Sequence, residues 1–407
     1  MGAVHEAEGH ALRILYASFC YLPSLGGGEI QLHGTARRLR ERGHAPRVVY
    51  QWNRPVQDWT ANATVAGDPP AEDVFEGVPV ARLGFSRSRR WAMAPWVSLY
   101  RRHGPSAPFA SRRIAGLLAR DFARAAGEPQ IVHAVRIGQE FLARTALSFA
   151  RARGLPFVLT RLFHPPGSNP LHHAYDTLAR EADAVVAMTS YERDLLVESR
   201  GVDPAKVHVL GVAPVLVPQY DAEAFRTRHG LGGPYVLFLG RKAPHKGYQA
   251  LLAAAPHVWE RHPDVHFVFV GPAGRRSEEA FAAHRDPRIL DVGAVDEGDK
   301  AAALAGCELL CVPSTEESFG TVYVEAWSFG KPVVAGRIPS VATVVDDGRT
   351  GLLSSPEPGE LAERIGWLLD HPALARAVGE AGREEGERHY TWKRIVDRTE
   401  ALYRSLL

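Results

Sequence analysis

The strongest constraint on the fold is a recurring order: a short apolar run, a glycine-containing loop, a helix-period segment and a second apolar run. Arg13-Ile14-Leu15-Tyr16-Ala17 reads as a buried strand, and Pro23-Ser24-Leu25-Gly26-Gly27-Gly28-Glu29 is the loop after it. Ile30 to Arg42 then reads as a helix with Ile30, Leu32, Ala36 and Leu39 on its apolar face. Gly43 stops that helix, and Arg47-Val48-Val49-Tyr50 is the next strand. Strand, loop, helix, strand is the repeating unit of a parallel sheet, whose strands are covered on both faces.

The pattern continues in two series. Gln130-Ile131-Val132-His133, Pro156 to Thr160 and Ala184 to Ala187 read as strands, with helices around 138–153 and 190–199. A second series opens at Pro234 to Gly240 and runs through Val265 to Gly271, Leu309 to Val312 and Pro332 to Ala335. Between them lies Gly211 to Gln219, which holds Pro214 and Pro218 and reads as a linker. A chain of 407 residues exceeds what one core supports. The expectation is an α/β protein of two Rossmann-like, doubly wound domains, 1–212 and 213–391, facing a central cleft where ligands bind.

Composition narrows the class. A 45% hydrophobic content excludes a mainly disordered chain. No apolar run approaches the ~18 residues that span a bilayer. Met1 to His10 carries Glu6 and Glu8 and lacks the basic-then-apolar order of a secretory signal. Cys20, Cys307 and Cys311 have no metal-ligand spacing, so reduced thiols and a cytoplasmic location are expected. The net charge of +2 conceals an asymmetry, because residues 1–212 sum to +7 and residues 213–407 to −5. Such a split points to different partners for the two halves.

Two stretches carry candidate chemistry. Pro313-Ser314-Thr315-Glu316-Glu317-Ser318-Phe319-Gly320-Thr321-Val322-Tyr323-Val324-Glu325-Ala326 leaves a strand and enters a helix near 320. Its amides at Phe319 to Val322 lack helical acceptors and suit sugar or phosphate oxygens. Glu317 and Glu325 suit a polyol, since a carboxylate accepts hydrogen bonds from two vicinal hydroxyls. The plain alternative is that Glu317 caps the helix and Glu325 is solvated. Gly240-Arg241-Lys242-Ala243-Pro244-His245-Lys246-Gly247 follows another strand and lacks the Gly-Lys-Ser/Thr ending of a P-loop. Arg241 and Lys246 suit a diphosphate, and the plain alternative is a basic surface turn.

Together these stretches resemble the retaining glycosyltransferases of family 4, which have the GT-B fold. The likeness also rests on Gly26 to Glu29 with Arg42-Gly43-His44, on Ala182-Asp183-Ala184 to Tyr191-Glu192-Arg193, on Gly330-Lys331-Pro332-Val333-Val334, and on Asp346-Asp347-Gly348-Arg349-Thr350-Gly351-Leu352-Leu353. The resemblance implies that Glu317 holds the donor sugar hydroxyls and Glu325 the ribose. Arg241 and Lys246 would neutralise the diphosphate, with backbone amides at Phe319, Gly320 and Thr321 on sugar or phosphate oxygens. Gly27 and Gly28 would let the backbone close over the phosphates. His164 matches a family histidine that points at the donor sugar. The implied activity is a hexosyltransferase moving sugar from a UDP- or GDP-linked donor to an unidentified glycan, lipid-linked or small-molecule acceptor. No metal and no further cofactor are expected, because no Asp-x-Asp occurs in a donor-site context.

Other readings keep the same fold. A sugar-nucleotide epimerase or hydrolase would need no acceptor, and a silent binding subunit would need no turnover. This chain departs from the family pattern at Ser318, usually Gly, at Ala213, usually Asp, and at His133-Ala134-Val135, usually His-x-His. Two decoys fail on spacing. The histidines of His5-Glu6-Ala7-Glu8-Gly9-His10 are five apart and do not share a helix face. The triple glycine lacks Gly-x-Gly-x-x-Gly, which argues against NAD.

Residues 82–120 hold nine arginines and no acid, with Trp91, Trp96, Tyr100 and Phe109 interleaved. That mixture suits an anionic membrane surface or a phosphate-bearing acceptor, and no nucleic-acid module accompanies it. The alternative is a solvated excursion in an arginine-rich chain. Trp392 to Leu407 resembles the family's closing helix, which crosses back onto the first domain. Counting it there makes the acceptor domain +9 and the donor domain −7. An anionic acceptor, or peripheral contact with the inner face of a membrane, is therefore expected.

Overall fold

The computed structural model describes residues 10–22, 26–52, 69–101, 106–135, 139–161, 172–274 and 276–407. They form two compact units. The first takes the described residues up to Met188 together with Arg193–Leu210 and Val396–Leu407; the second takes Thr189–Glu192 and Gly211–Ile395.

The first unit is built on an eight-stranded sheet. Its strands are β1 (Arg13–Cys20), β2 (Ala45–Trp52), β3 (Ala71–Phe75), β4 (Val78–Arg82), β5 (Ile131–Val135), β6 (Phe157–Thr160), β7 (Ala184–Ala187) and β8 (Val207–Val209). Their order is β3-β4-β2-β1-β5-β6-β7-β8, and β3 alone runs antiparallel to its neighbour. Every residue of β1 after Arg13 is buried, as a strand covered on both faces demands. The helix expected from Ile30 begins earlier, at Gly27, so Gly27 and Gly28 form its first turn.

The arginine-rich stretch folds as helices Arg87–Arg101 and Ala107–Ala126. Met93, Val97, Tyr100, Ile114 and Leu118 turn inward, whereas Trp91 is 78% exposed and Phe109 49% exposed. Arg87, Arg112, Arg113 and Arg120 are exposed as well, while Arg89 pairs with Asp121.

The second unit carries β9 (Tyr235–Leu239), β10 (His266–Val270), β11 (Ile289–Gly293), β12 (Leu309–Val312), β13 (Val333–Gly336) and β14 (Leu352–Ser354). All are parallel, in the order β11-β10-β9-β12-β13-β14. Chain order therefore runs outward in one direction from β9 to β11 and in the other from β12 to β14. The reversal between β9 and β12 is where doubly wound sheets bind ligands, outside the strands' carboxyl ends.

The chain's last segment is fastened into the first unit by a buried polar chain. His133 contacts the Tyr403 hydroxyl through Nδ1 at 2.6 Å and Thr160 Oγ1 through Nε2 at 2.7 Å. Tyr403 donates onward to the Tyr16 hydroxyl at 2.9 Å. Arg42 adds ion pairs to Asp397 at 2.7 Å and Glu400 at 3.1 Å, and His44 stands 3.3 Å from Glu400. Arg42-Gly43-His44 thus has a structural task that its spacing did not announce.

Burial lowers the His133 pKa to about 3. Between pH 6.5 and that value the unfolded chain binds a proton there that the folded chain refuses, so stability is full above 6.5 and falls with pH. The slope reaches about 1.4 kcal/mol per pH unit. Chemical denaturation from pH 7.5 to 4.5 is expected to show a steeper loss for wild type than for His133→Gln, which keeps hydrogen-bonding capacity without titrating. Equal slopes would refute the assignment.

Candidate functional site

The switch point of the second sheet is lined by the turns that leave β9 and β12. After β9 the chain passes through Arg241 and Lys242 into a single turn of tight helix at Pro244–Lys246, then into helix Tyr248–Trp259. Gly247 joins the two with φ of +77°, and a Cβ there would stand 2.3 Å from the carbonyl oxygen of Pro313. Only glycine lets the two turns approach this closely. The Thr315 N–H donates to the His245 carbonyl at 2.8 Å and locks them together.

Their side chains meet as well. Lys246 Nζ stands 2.5 Å from Glu317 Oε2, and Ser314 Oγ approaches the same oxygen at 3.4 Å. Ser340 Oγ donates to the Glu317 carbonyl at 2.6 Å and fixes the turn from a third side. Residues 71 positions apart are thereby joined as a cation and a carboxylate. Neither is fully buried, with side-chain exposures of 25% and 14%, so both remain in reach of a ligand. Arg241 is exposed and forms no ion pair among the described residues.

Lys242 turns the other way. It is fully buried, donates to the Gly271 carbonyl at 2.5 Å and pairs with Asp291 at 2.5 Å, tying the end of β9 to β10 and β11. Desolvation first, and then the positive charge of Lys246, push His245 below the usual histidine range. At neutral pH His245 therefore adds no positive charge to this turn.

The turn after β12 enters helix Thr321–Trp327 with Gly320 at its N-cap, at φ of +87° and without a side-chain cap. Glu317 is thus not the cap. The Tyr323 N–H already donates to the Gly320 carbonyl at 3.0 Å, which leaves the amides of Thr321 and Val322 without a helical acceptor, and the Tyr323 hydroxyl pins the helix start by donating to the Val312 carbonyl at 2.8 Å. Phe319 is buried and lies edge-on to Tyr390 at 5.1 Å. Glu325 is not solvated either, being only 4% exposed. Its Oε1 contacts Lys300 Nζ at 3.1 Å and accepts from the Val215 N–H at 3.2 Å. Lys300 is a residue that sequence reasoning missed, because a lysine in a polar helix start carries no motif.

The Asp346–Leu353 stretch supports this floor. Trp327 Nε1 donates to the Thr350 carbonyl at 2.9 Å, and Thr350 Oγ1 accepts from the Asp346 N–H at 2.9 Å. In the first unit, Gly27 opens its helix with nothing within 4 Å of a built Cβ, and Glu29 folds its carboxylate back beside Gly26. His164 lies outside the described residues.

Two family descriptions match the chain: the glycosyl transferase 4-like domain over residues 26–213 and glycosyl transferases group 1 over residues 219–385. D-inositol 3-phosphate glycosyltransferase 1 of Catenulispora acidiphila is 31% identical over 424 residues, covering 94% of this chain and 91% of that protein. The chain belongs to the group 1 glycosyltransferases. Other relatives in this family align over less. D-inositol 3-phosphate glycosyltransferase 2 of the same organism is 33% identical over 56% of this chain and 57% of its own length. The phosphatidyl-myo-inositol mannosyltransferase of Mycobacterium leprae is 34% identical over 43% and 47%. The chain thus spans about half the length of these two relatives.

Among solved structures, sucrose-phosphate synthase from Thermosynechococcus elongatus superposes with a TM-score of 0.75 at 19% identity, covering 97% of this chain and 99% of that one. Anabaena HepE in complex with UDP and glucose gives 0.69 at 18%, covering 97% and 100%. At such identities the likeness speaks for the fold, and this group 1 glycosyltransferase has the GT-B fold of two parallel-sheet α/β domains.

Gly247→Ala is expected to cost about 2–4 kcal/mol, through left-handed strain and the clash with Pro313. Gly27→Ala, which meets open space, is expected to leave stability within about 0.5 kcal/mol. Thermal unfolding of the two variants checks both, and equal melting temperatures would contradict the packing described.

Proposed function

We propose that the chain is a retaining, metal-independent hexosyltransferase that takes its sugar from a UDP- or GDP-linked donor. The observation that carries the reading is the meeting of Lys246 and Glu317 outside β9 and β12, where the sheet order reverses. Lys246 and Arg241 neutralise the diphosphate as the leaving group gathers charge, and the amides of Phe319, Gly320 and Thr321 add fixed dipoles. Glu317 accepts the sugar hydroxyls and Glu325 the ribose hydroxyls. The family likeness assigns Gly27 and Gly28 to the phosphates and His164 to the sugar. The HepE complex with UDP and glucose supports a nucleotide donor for this fold.

Lys246 has three protons and gives one to Glu317, which leaves it able to serve the diphosphate without releasing the carboxylate. The acceptor attacks on the face from which the leaving group departs, and a departing phosphate oxygen takes its proton. The leaving phosphate thus serves as the base in place of a protein side chain. In this reading the two cations and the helix amides supply the charge that a metal would supply elsewhere.

The acceptor is read as an anionic polyol. The first 212 residues sum to +7, and two relatives are named D-inositol 3-phosphate glycosyltransferase and phosphatidyl-myo-inositol mannosyltransferase. No described helix is long and apolar enough to cross a membrane. Contact with an anionic bilayer on its cytoplasmic side is instead assigned to Trp91 and Arg87, both exposed on helix Arg87–Arg101, with Arg112 and Arg120 exposed on the following helix. An indole sits at the headgroup level, and guanidinium groups meet lipid phosphates.

A thermal-shift screen of UDP, GDP and their sugars is expected to raise the apparent melting temperature for one base series, because a ligand of the folded state stabilises it. Lys246→Ala and Glu317→Ala are expected to lower kcat/KM by about 100-fold or more, about 3 kcal/mol of transition-state stabilisation, with the fold intact. Gly27→Ala is expected to lower turnover while remaining stable. Wild-type turnover in all three would sink the site assignment. Cosedimentation with phosphatidylglycerol vesicles at low salt should weaken in Trp91→Ala and in Arg112→Glu, and equal binding to neutral vesicles would overturn the membrane contact.

A further inference from the structure

We infer that Lys300 is a positioning residue: it fixes one oxygen of the Glu325 carboxylate and so leaves the other for the hydroxyls of a bound nucleotide. This rests on the reading of Glu325 as a nucleotide contact. Lys300 projects from helix Glu297–Gly306, and its ammonium has three acceptors: the Val215 carbonyl at 2.6 Å, Glu297 Oε2 at 2.5 Å and Glu325 Oε1 at 3.1 Å. All three protons are used, so Lys300 has none left for a ligand. Its partner oxygen is equally occupied, because Glu325 Oε1 also accepts from the Val215 N–H at 3.2 Å. Glu325 Oε2 has no hydrogen bond among the described residues.

The chemistry follows from burial. A carboxylate with a residue exposure of 4% is costly to keep ionised, and desolvation pushes the Glu325 carboxyl up while Lys300 and the Val215 N–H pull against it. For Lys300, burial works against the charged form and is outweighed by Glu325 and Glu297, so its ammonium is held above the usual lysine range. The charged groups facing Glu325 are Lys300 and Glu297, both from the same helix. From helix Pro372–His389 the neighbours are Gly382, against Trp327, and Gly386, near Val324. Strands β12 and β13 present only apolar residues and a glycine. Removing Lys300 therefore leaves a buried carboxylate beside a second carboxylate, and protonation follows. A protonated carboxyl loses acceptor capacity toward vicinal hydroxyls.

The test is calorimetric titration of the full chain with UDP and with GDP from pH 6 to 9. Wild type is expected to bind one of them with little pH dependence. Lys300→Met is expected to bind it about tenfold more weakly at pH 6, the loss of one charge-assisted hydrogen bond. Its affinity should recover toward pH 9 as Glu325 ionises, and Lys300→Arg, which keeps the charge, should lose less than Lys300→Met. If Lys300→Met does not fold by circular dichroism, Lys300→Gln is read in the same way. Unchanged affinity, or an equal loss at every pH, overturns the positioning role. Glu325→Gln separates the two readings. If it weakens nucleotide binding while Lys300→Met does not, only the positioning role falls; if it changes nothing, or neither nucleotide binds wild type, the nucleotide reading falls first.

Discussion

The second unit's chemistry depends on β9 lying beside β12. Leu310 of β12 stands opposite Leu237 of β9, with the parallel strands β10 and β11 already placed on β9's other edge. A strand added at that point sends the chain back across the starting strand, and the turns leaving both strands must then run in opposite directions. The gap this opens is a property of parallel crossover connections and needs no particular side chain. What the sequence adds is a way to hold the gap's lips at a fixed separation. Gly247 lets one turn rest on Pro313, and Thr315 hydrogen-bonds the turn back. Lys246 and Glu317 then project from adjoining backbone segments.

Much of this was legible in the residues, and the reasons differ between elements. The strands that read correctly are continuous apolar runs, such as Tyr235–Leu239, in which every position is buried. Those that did not mostly sit at edges, with β4 (Val78–Arg82), between β3 and β2, the interior exception. β3, Ala71–Phe75, is exposed or half-exposed throughout, β8 has three residues, and β11 carries Asp291 in its middle to meet Lys242. An edge strand needs backbone pairing on one side only, so its side chains show little periodicity. The start of the first helix was also misplaced, because Gly27 and Gly28 look like loop residues yet supply its first turn.

The candidate site divides along the same line. Glu317, Glu325, Arg241 and Lys246 stand in stretches with recognisable spacing. Their supports do not, because each reaches across a long sequence interval: Lys300 to Glu325, Lys242 to Asp291, and His133 to Tyr403 over 270 residues. Pairings of that kind come from topology. Arg42-Gly43-His44 and the Asp346–Leu353 stretch show the converse: recognisable as part of the likeness, they prove to be fastenings for a helix elsewhere in the same unit. A motif therefore marks a place where residue identity matters without saying whether for chemistry or for support.

The cations make the distinction physical. The chain has 42 arginines and only 6 lysines. Arginine dominates its surface, including the exposed faces of the helices around Trp91. Yet the buried or part-buried cations around the switch point are lysines: Lys242, Lys246 and Lys300. An ammonium is a compact point donor with three rotatable protons, which fits a convergence of acceptors such as the two that meet Lys242 or the three that meet Lys300. A guanidinium would bring a planar fork that could not turn its donors independently. At these three positions lysine is thus the cation the local geometry selects, against the composition of the rest of the chain. Of the three, Lys246 has a partly exposed side chain and a single carboxylate partner, so it alone has protons within a ligand's reach.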